Sequence, residues 1–171
     1  LEANGIAGLA LGNTWVATAM ATFTWLLAEW GLKGKPSLLG AISGAVSGMV
    51  AITPACGFVG VAGAMVIGGL AGVICLWGVH GLKRLLNVGD SLDVFGVHGI
   101  GGILGAILTG VFASPDLGGT GVWDYVANAV TPDYSIAVQV KVQAIGVITT
   151  IVWSGLVSIV GYFLIDKLVG L

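Results

Sequence analysis

His98 is the residue best placed to do chemistry. It lies in the stretch Asp93-Val94-Phe95-Gly96-Val97-His98-Gly99-Ile100-Gly101-Gly102, which carries no charge after Asp93. Each imidazole nitrogen can donate or accept one hydrogen bond, and histidine is the side-chain type whose unperturbed pKa lies near neutrality. Such a ring in apolar surroundings needs a partner or a cavity, and an ionisable group at membrane depth reads as functional. His98 could therefore serve a passing solute or proton, or it could bond a neighbouring helix; spacing alone leaves both open. His80, beside Lys83 and Arg84, reads instead as an interfacial side chain at a helix end.

Neighbouring residues refine the reading. Val94 and His98 are four apart and share a helix face, whereas Asp93 lies five residues before His98, about 140° around an α-helix. Asp93 is expected in the first helical turn, where a carboxylate favours the helix dipole and caps free amides. The glycines at 96, 99, 101, 102 and 105 leave room beside the ring for another backbone or a narrow passage.

Other chemistry finds no support. Gly99-Ile100-Gly101-Gly102 follows no strand and is no dinucleotide fingerprint, and the chain has no phosphate loop, His-Glu-x-x-His or Cys/His metal cluster. No spacing argues for a Ser-His-Asp triad, no nucleophile or metal accompanies His98 as a base, and no cofactor is implied. Cys56 and Cys75 lie roughly 28 Å apart if the second is in the helix that follows, beyond disulfide reach, so both read as free thiols.

The elements that must hold His98 are apolar. Of 171 residues 57% are hydrophobic and 8% charged, against about 25% charged in a water-soluble domain. Mean hydropathy is +1.05. These values define an integral membrane protein of the all-α class. A net charge of -2 spread over so few groups excludes a nucleic-acid surface.

Uncharged runs cover residues 3–28, 36–82, 94–115 and 142–165. The second would reach about 70 Å as one helix, against a hydrocarbon core of about 30 Å, so it must break. Thr53-Pro54-Ala55-Cys56-Gly57 is the place, since Pro removes a helix donor and Gly permits the turn. Five crossings follow, over residues 5–28, 38–53, 58–80, 92–113 and 138–168, within one transmembrane domain spanning 1–171. The second is short, a feature that points to a substrate path. Gly40, Gly44 and Gly48, and Gly60, Ala64, Gly68 and Gly72, recur every four residues as smooth stripes for close helix packing.

Lys33, Lys35, Lys83, Arg84 and Lys167 fall on one side, which reads as cytoplasmic, placing residue 1 outside and residue 171 inside. Trp30 and Trp123 are expected at the two interfaces. The connection from Ser114 to Ala137 is expected to be a loop with at most a short surface helix. The chain starts without Met or a basic leader region and reads as a piece of a longer protein.

The stretches Gly34-Lys35-Pro36-Ser37-Leu38-Leu39-Gly40, Thr53-Pro54-Ala55-Cys56-Gly57 and Asp93-Val94-Phe95-Gly96-Val97-His98-Gly99, with the ending Ile151-Val152-Trp153-Ser154-Gly155, resemble the ammonium transporter family (Amt/Mep, related to Rh), most closely its bacterial members. The likeness covers essentially the whole chain but only the family's second half, crossings seven to eleven of eleven. It implies a multi-pass bundle of inverted repeats in a bacterial inner membrane, a homotrimer with one narrow hydrophobic pore per subunit, and ammonia as the conducted species. His98 then matches the second of two stacked pore histidines, Val94 and Val46 match pore-lining positions, and Asp93 matches a carboxylate at the inner mouth. The first pore histidine, the aromatic gate and the outer cation site belong to portions upstream of Leu1. A PII-type signal protein is implied as a cytoplasmic partner, docking partly on a tail that lies beyond Leu171. A non-transporting membrane subunit or ammonium sensor is the competing reading.

Overall fold

A computed structural model describes residues 3–87, 89–124 and 126–170. Its first helix, α1, spans Gly5–Lys33 and starts where the Asn4 side chain accepts the Ala7 N–H. It runs past the expected end at residue 28, straight through Glu29. That carboxylate, only 3% exposed, is satisfied by the Ser37 N–H at 3.0 Å, the Ser37 hydroxyl and the Lys33 ammonium at 2.9 Å. With its charge so bonded, Glu29 need not reach water and does not end the helix. Gly34, at φ 74°, then turns the chain, a left-handed geometry that glycine adopts without strain.

Ser37 caps α2, Leu38–Ile52, a short apolar helix of 15 residues. The expected break follows: residues 53–60 form turns, and Asn13 of α1 reaches across to donate its amide to the Cys56 and Val59 carbonyls, each at 2.8 Å. Buried carbonyls freed by a helix break need such a donor in a medium without water. The third helix, α3, is continuous over Val61–Leu85. It widens into a π-helical turn at Gly78–Leu82 and carries Lys83 and Arg84 beyond the expected end at residue 80.

The fourth, α4, spans Phe95–Phe112 and opens with a second π-helical turn, Phe95–Gly99. After it comes a correction to the expected loop. The only helical piece there among the described residues is one 3-10 turn, Pro115–Leu117, and the chain also forms a two-rung antiparallel hairpin, β1 (Trp123–Asp124) with β2 (Ala129–Val130). The last helix, α5, covers Ile136–Val169, with Ser135 as its cap.

The glycine stripes do what close packing requires. A Cβ on Gly48 would stand 2.6 Å from the Ala17 carbonyl oxygen, and one on Gly44 2.8 Å from the Trp25 Cβ, so α2 rides directly on α1. Gly68 and Gly72 bring α3 against the same small face. The core is correspondingly built of small residues, Ala17, Ala21, Ala51, Ala55, Ala64 and Ala71, with Ile52, Val59 and Ile67. Without water to drive helices together, backbone proximity and dispersion carry this association. By contrast, α5 packs on α4 yet buries none of its described residues. Both cysteines are free thiols, as expected from the sequence.

Candidate functional site

The start of α4 is held by two carboxylates with different jobs. Asp90, not Asp93, caps the helix: its carboxylate accepts the N–H groups of Val94, Phe95 and Gly96 at 2.9, 3.0 and 3.1 Å. Asp93 adopts φ 56° just before the first helical residue, so it is not the first-turn capping group the sequence suggests. Its side chain turns to α3 and pairs with Lys83 at 2.5 Å. The reason is geometric. A left-handed residue directs its side chain away from the amides ahead of it, and Asp90, three residues earlier, spans the gap instead.

His98 sits inside the π-helical turn Phe95–Gly99, where the Ile100 N–H reaches back to the Phe95 carbonyl. Asp93 lies outside this turn with a left-handed backbone, so the helical angle of about 140° between it and His98 does not apply. The ring is exposed and lines a groove of about 660 Å³ between α4 and α5. One wall is Phe95, His98, Gly99, Gly102, Ile103 and Ala106; the other is Gln143, Gly146, Val147, Thr150, Ile151 and Ser154. The glycines keep this passage open beside the imidazole. Among the described residues no hydrogen bond engages His98.

The other expected site residues are not gathered with it. Val94 is half exposed at the start of α4, and Val46 packs on a second cluster of Trp25, Cys75, Leu76, Val79 and Val97. Neither lines the groove. His80 donates from Nδ1 to the Leu76 carbonyl at 3.1 Å on the basic side, away from the groove. The polar residues of α5 were missed by sequence reasoning, although Gln143, Thr150 and Ser154, seven and four residues apart, share a helical face. Lys83 was read only as a topogenic charge, because nothing local pairs it with a residue ten positions on.

Long apolar helices, a short apolar second helix and glycine-mediated contact define a multi-pass helical membrane protein. The sequence profile of the Ammonium Transporter Family matches residues 1–171, and the chain belongs to that family. An ammonium transporter of Aquifex aeolicus is 44% identical over 172 residues, covering 100% of this chain and 38% of the relative. One of Bacillus subtilis is 46% identical over 121 residues, 71% of this chain and 30% of the relative. In structure the chain is similar to the crystal structure of Saccharomyces cerevisiae Mep2, with TM-score 0.83, 30% identity, and 98% of this chain and 38% of that one covered. A solved protein described as a sensor Amt protein shares the fold at TM-score 0.84 and 23% identity. The chain thus spans less than half the length of the relatives it matches.

Proposed function

We propose that the complete protein conducts ammonium across the membrane as ammonia, through a narrow apolar pore for which this chain supplies the second half. The observation that carries this reading is His98, an imidazole with no hydrogen-bond partner among the described residues, facing an otherwise largely apolar groove on a helix long and apolar enough to cross a membrane. An unpaired ammonium ion in such a passage bears a desolvation penalty of several kcal/mol, whereas neutral ammonia does not. Bare alkali ions are rejected for the same reason. The ring nitrogens of His98 replace part of the hydration shell that ammonia leaves behind, or relay the proton it sheds.

Val94, one turn below His98, and Val46, on the short second helix, belong to the pore wall outside the α4–α5 groove, and Asp93 stands at the inner mouth. The working assembly is a homotrimer in a bacterial inner membrane, with residue 1 outside, residue 171 cytoplasmic, and a PII-type signal protein docking on the cytoplasmic face. The side carrying Lys33, Lys35, Lys83, Arg84 and Lys167 supports that orientation. The test is His98→Ala in the complete protein, reconstituted in liposomes, with ammonium-evoked current and potassium leak as readouts. The expected result is a large loss of current or of selectivity. Current and selectivity both unaltered would overturn the role of His98.

A further inference from the structure

On the basic side, α3 and α4 are fastened together at the level of His98 in more ways than packing requires. Each helix widens into a π-helical turn there, Gly78–Leu82 in α3 and Phe95–Gly99 in α4. The two turns meet backbone to backbone. A Cβ on Gly96 would lie 2.9 Å from the Val79 amide nitrogen, and one on Gly78 3.0 Å from the Gly96 carbonyl oxygen. Beyond them the Lys83 ammonium holds the Asp93 carboxylate, with side chains 29% and 31% exposed. Asp93 is also pinned through its backbone: its N–H donates to the Asp90 carbonyl at 3.2 Å and its carbonyl accepts the Val97 N–H at 2.8 Å. A non-glycine residue at φ 56° is strained and persists only when its surroundings hold it.

We infer that Lys83 and Asp93 are positioning residues for His98: their ion pair holds the α4 π turn open and so keeps the imidazole aimed into the groove. The inference rests on the reading of His98 as a pore group. Its physical basis is the extra residue that a π turn carries. If the turn closed to α-helical bonding, the register would slip by one residue, and His98 would rotate by about 100° relative to the rest of α4. That swing takes the ring off the groove. Asp90 fixes the amides of residues 94–96, and the Gly78–Gly96 contact fixes the distance between helices. The backbone bonds of residue 93 to Asp90 and Val97 lie within the segment 90–97 and would move with it if the π register slipped. Among the described residues, only the Lys83 pairing reaches from α3 to the Asp93 side chain.

The experiment uses the complete protein with Asp93→Asn, Lys83→Met, the two combined, and Lys83→Arg. Asp93→Asn and Lys83→Met should each lower ammonium-evoked current on the order of tenfold, less than the hundredfold that a full ångström of misplacement can cause. The combined variant should fall no further, since one interaction is lost in all three, and Lys83→Arg should retain the current because it keeps the pair. Lys83→Met leaves the α4 backbone and its cap untouched, which covers the case in which Asp93→Asn does not fold. The decisive readout is a cryo-electron microscopy map of Lys83→Met, expected to show the π turn closed and the His98 ring withdrawn from the groove. A map with the ring unmoved, or losses that multiply in the combined variant, would overturn the inference. Unaltered current in His98→Ala would instead sink the pore reading, while the ring position would still decide the positioning role.

Discussion

Adjacent glycines in α3 should respond in opposite directions to the same added methyl group. At Gly68 a Cβ would lie 2.6 Å from the Ala17 Cα and 2.8 Å from its carbonyl carbon, against a comfortable carbon separation of about 3.5 Å. The neighbour is backbone, so no side chain can swing aside. Nor can α1 retreat, because Gly48 of α2 presses on the Ala17 carbonyl as well. Overpacking of this kind costs about 1–3 kcal/mol, and the roughly 0.5–1 kcal/mol gained by replacing a mid-helix glycine offsets only part of it. At Gly69 the nearest atoms are the Thr24 Cγ2 at 3.8 Å and the Met20 Cε at 3.9 Å, ordinary contacts with flexible side chains. Gly68→Ala should therefore lower the melting temperature of the complete protein in detergent, followed by tryptophan fluorescence, while Gly69→Ala leaves it unchanged or raises it. Shifts in the same direction for both would show that the α1–α3 contact is not the tight interface described, and the account of small-residue packing would fail.

Two further outcomes follow from polar groups off the groove. Asn13→Leu removes the donor shared by the Cys56 and Val59 carbonyls and should destabilise the fold by about 1–3 kcal/mol per carbonyl left unsatisfied; hydrogen exchange confined to residues 53–60 would report it, and unchanged protection there would contradict it. Tyr134, in the connection before α5, donates its hydroxyl to the Gly110 carbonyl at 2.8 Å, and burial raises its ionisation above the ordinary value of 10.0. The neutral phenol is the form the fold accepts, so its contribution is complete below the unfolded tyrosine pKa and fades as pH climbs through the raised folded value. A Tyr134→Phe variant should lose that alkaline component, and an identical alkaline stability profile in the two proteins would count against the assignment.

What the linear order of residues determined is the class of the molecule, a multi-pass helical membrane protein. Transfer of a segment into lipid is a sum over its own side chains, so uncharged runs, the break at Pro54 and the one-sided basic connections are visible without any neighbour. The exposure of His98 to a space with room beside it was likewise foreshadowed by the glycines that follow it. Tertiary structure alone decided the rest. Glu29 was invisible as a buried group because its acceptors are satisfied by Ser37 from the next helix, and that pairing allows α1 to continue past it. Asp90 takes the capping duty expected of Asp93 because a left-handed backbone at 93, held from α3 by Lys83, redirects one carboxylate and leaves the amides to the other. The two π turns have no periodicity of their own to betray them; they exist where Gly78 and Gly96 let two backbones touch. Interactions between segments depend on which faces meet, and that is a property of the assembled helices, absent from any window of the chain.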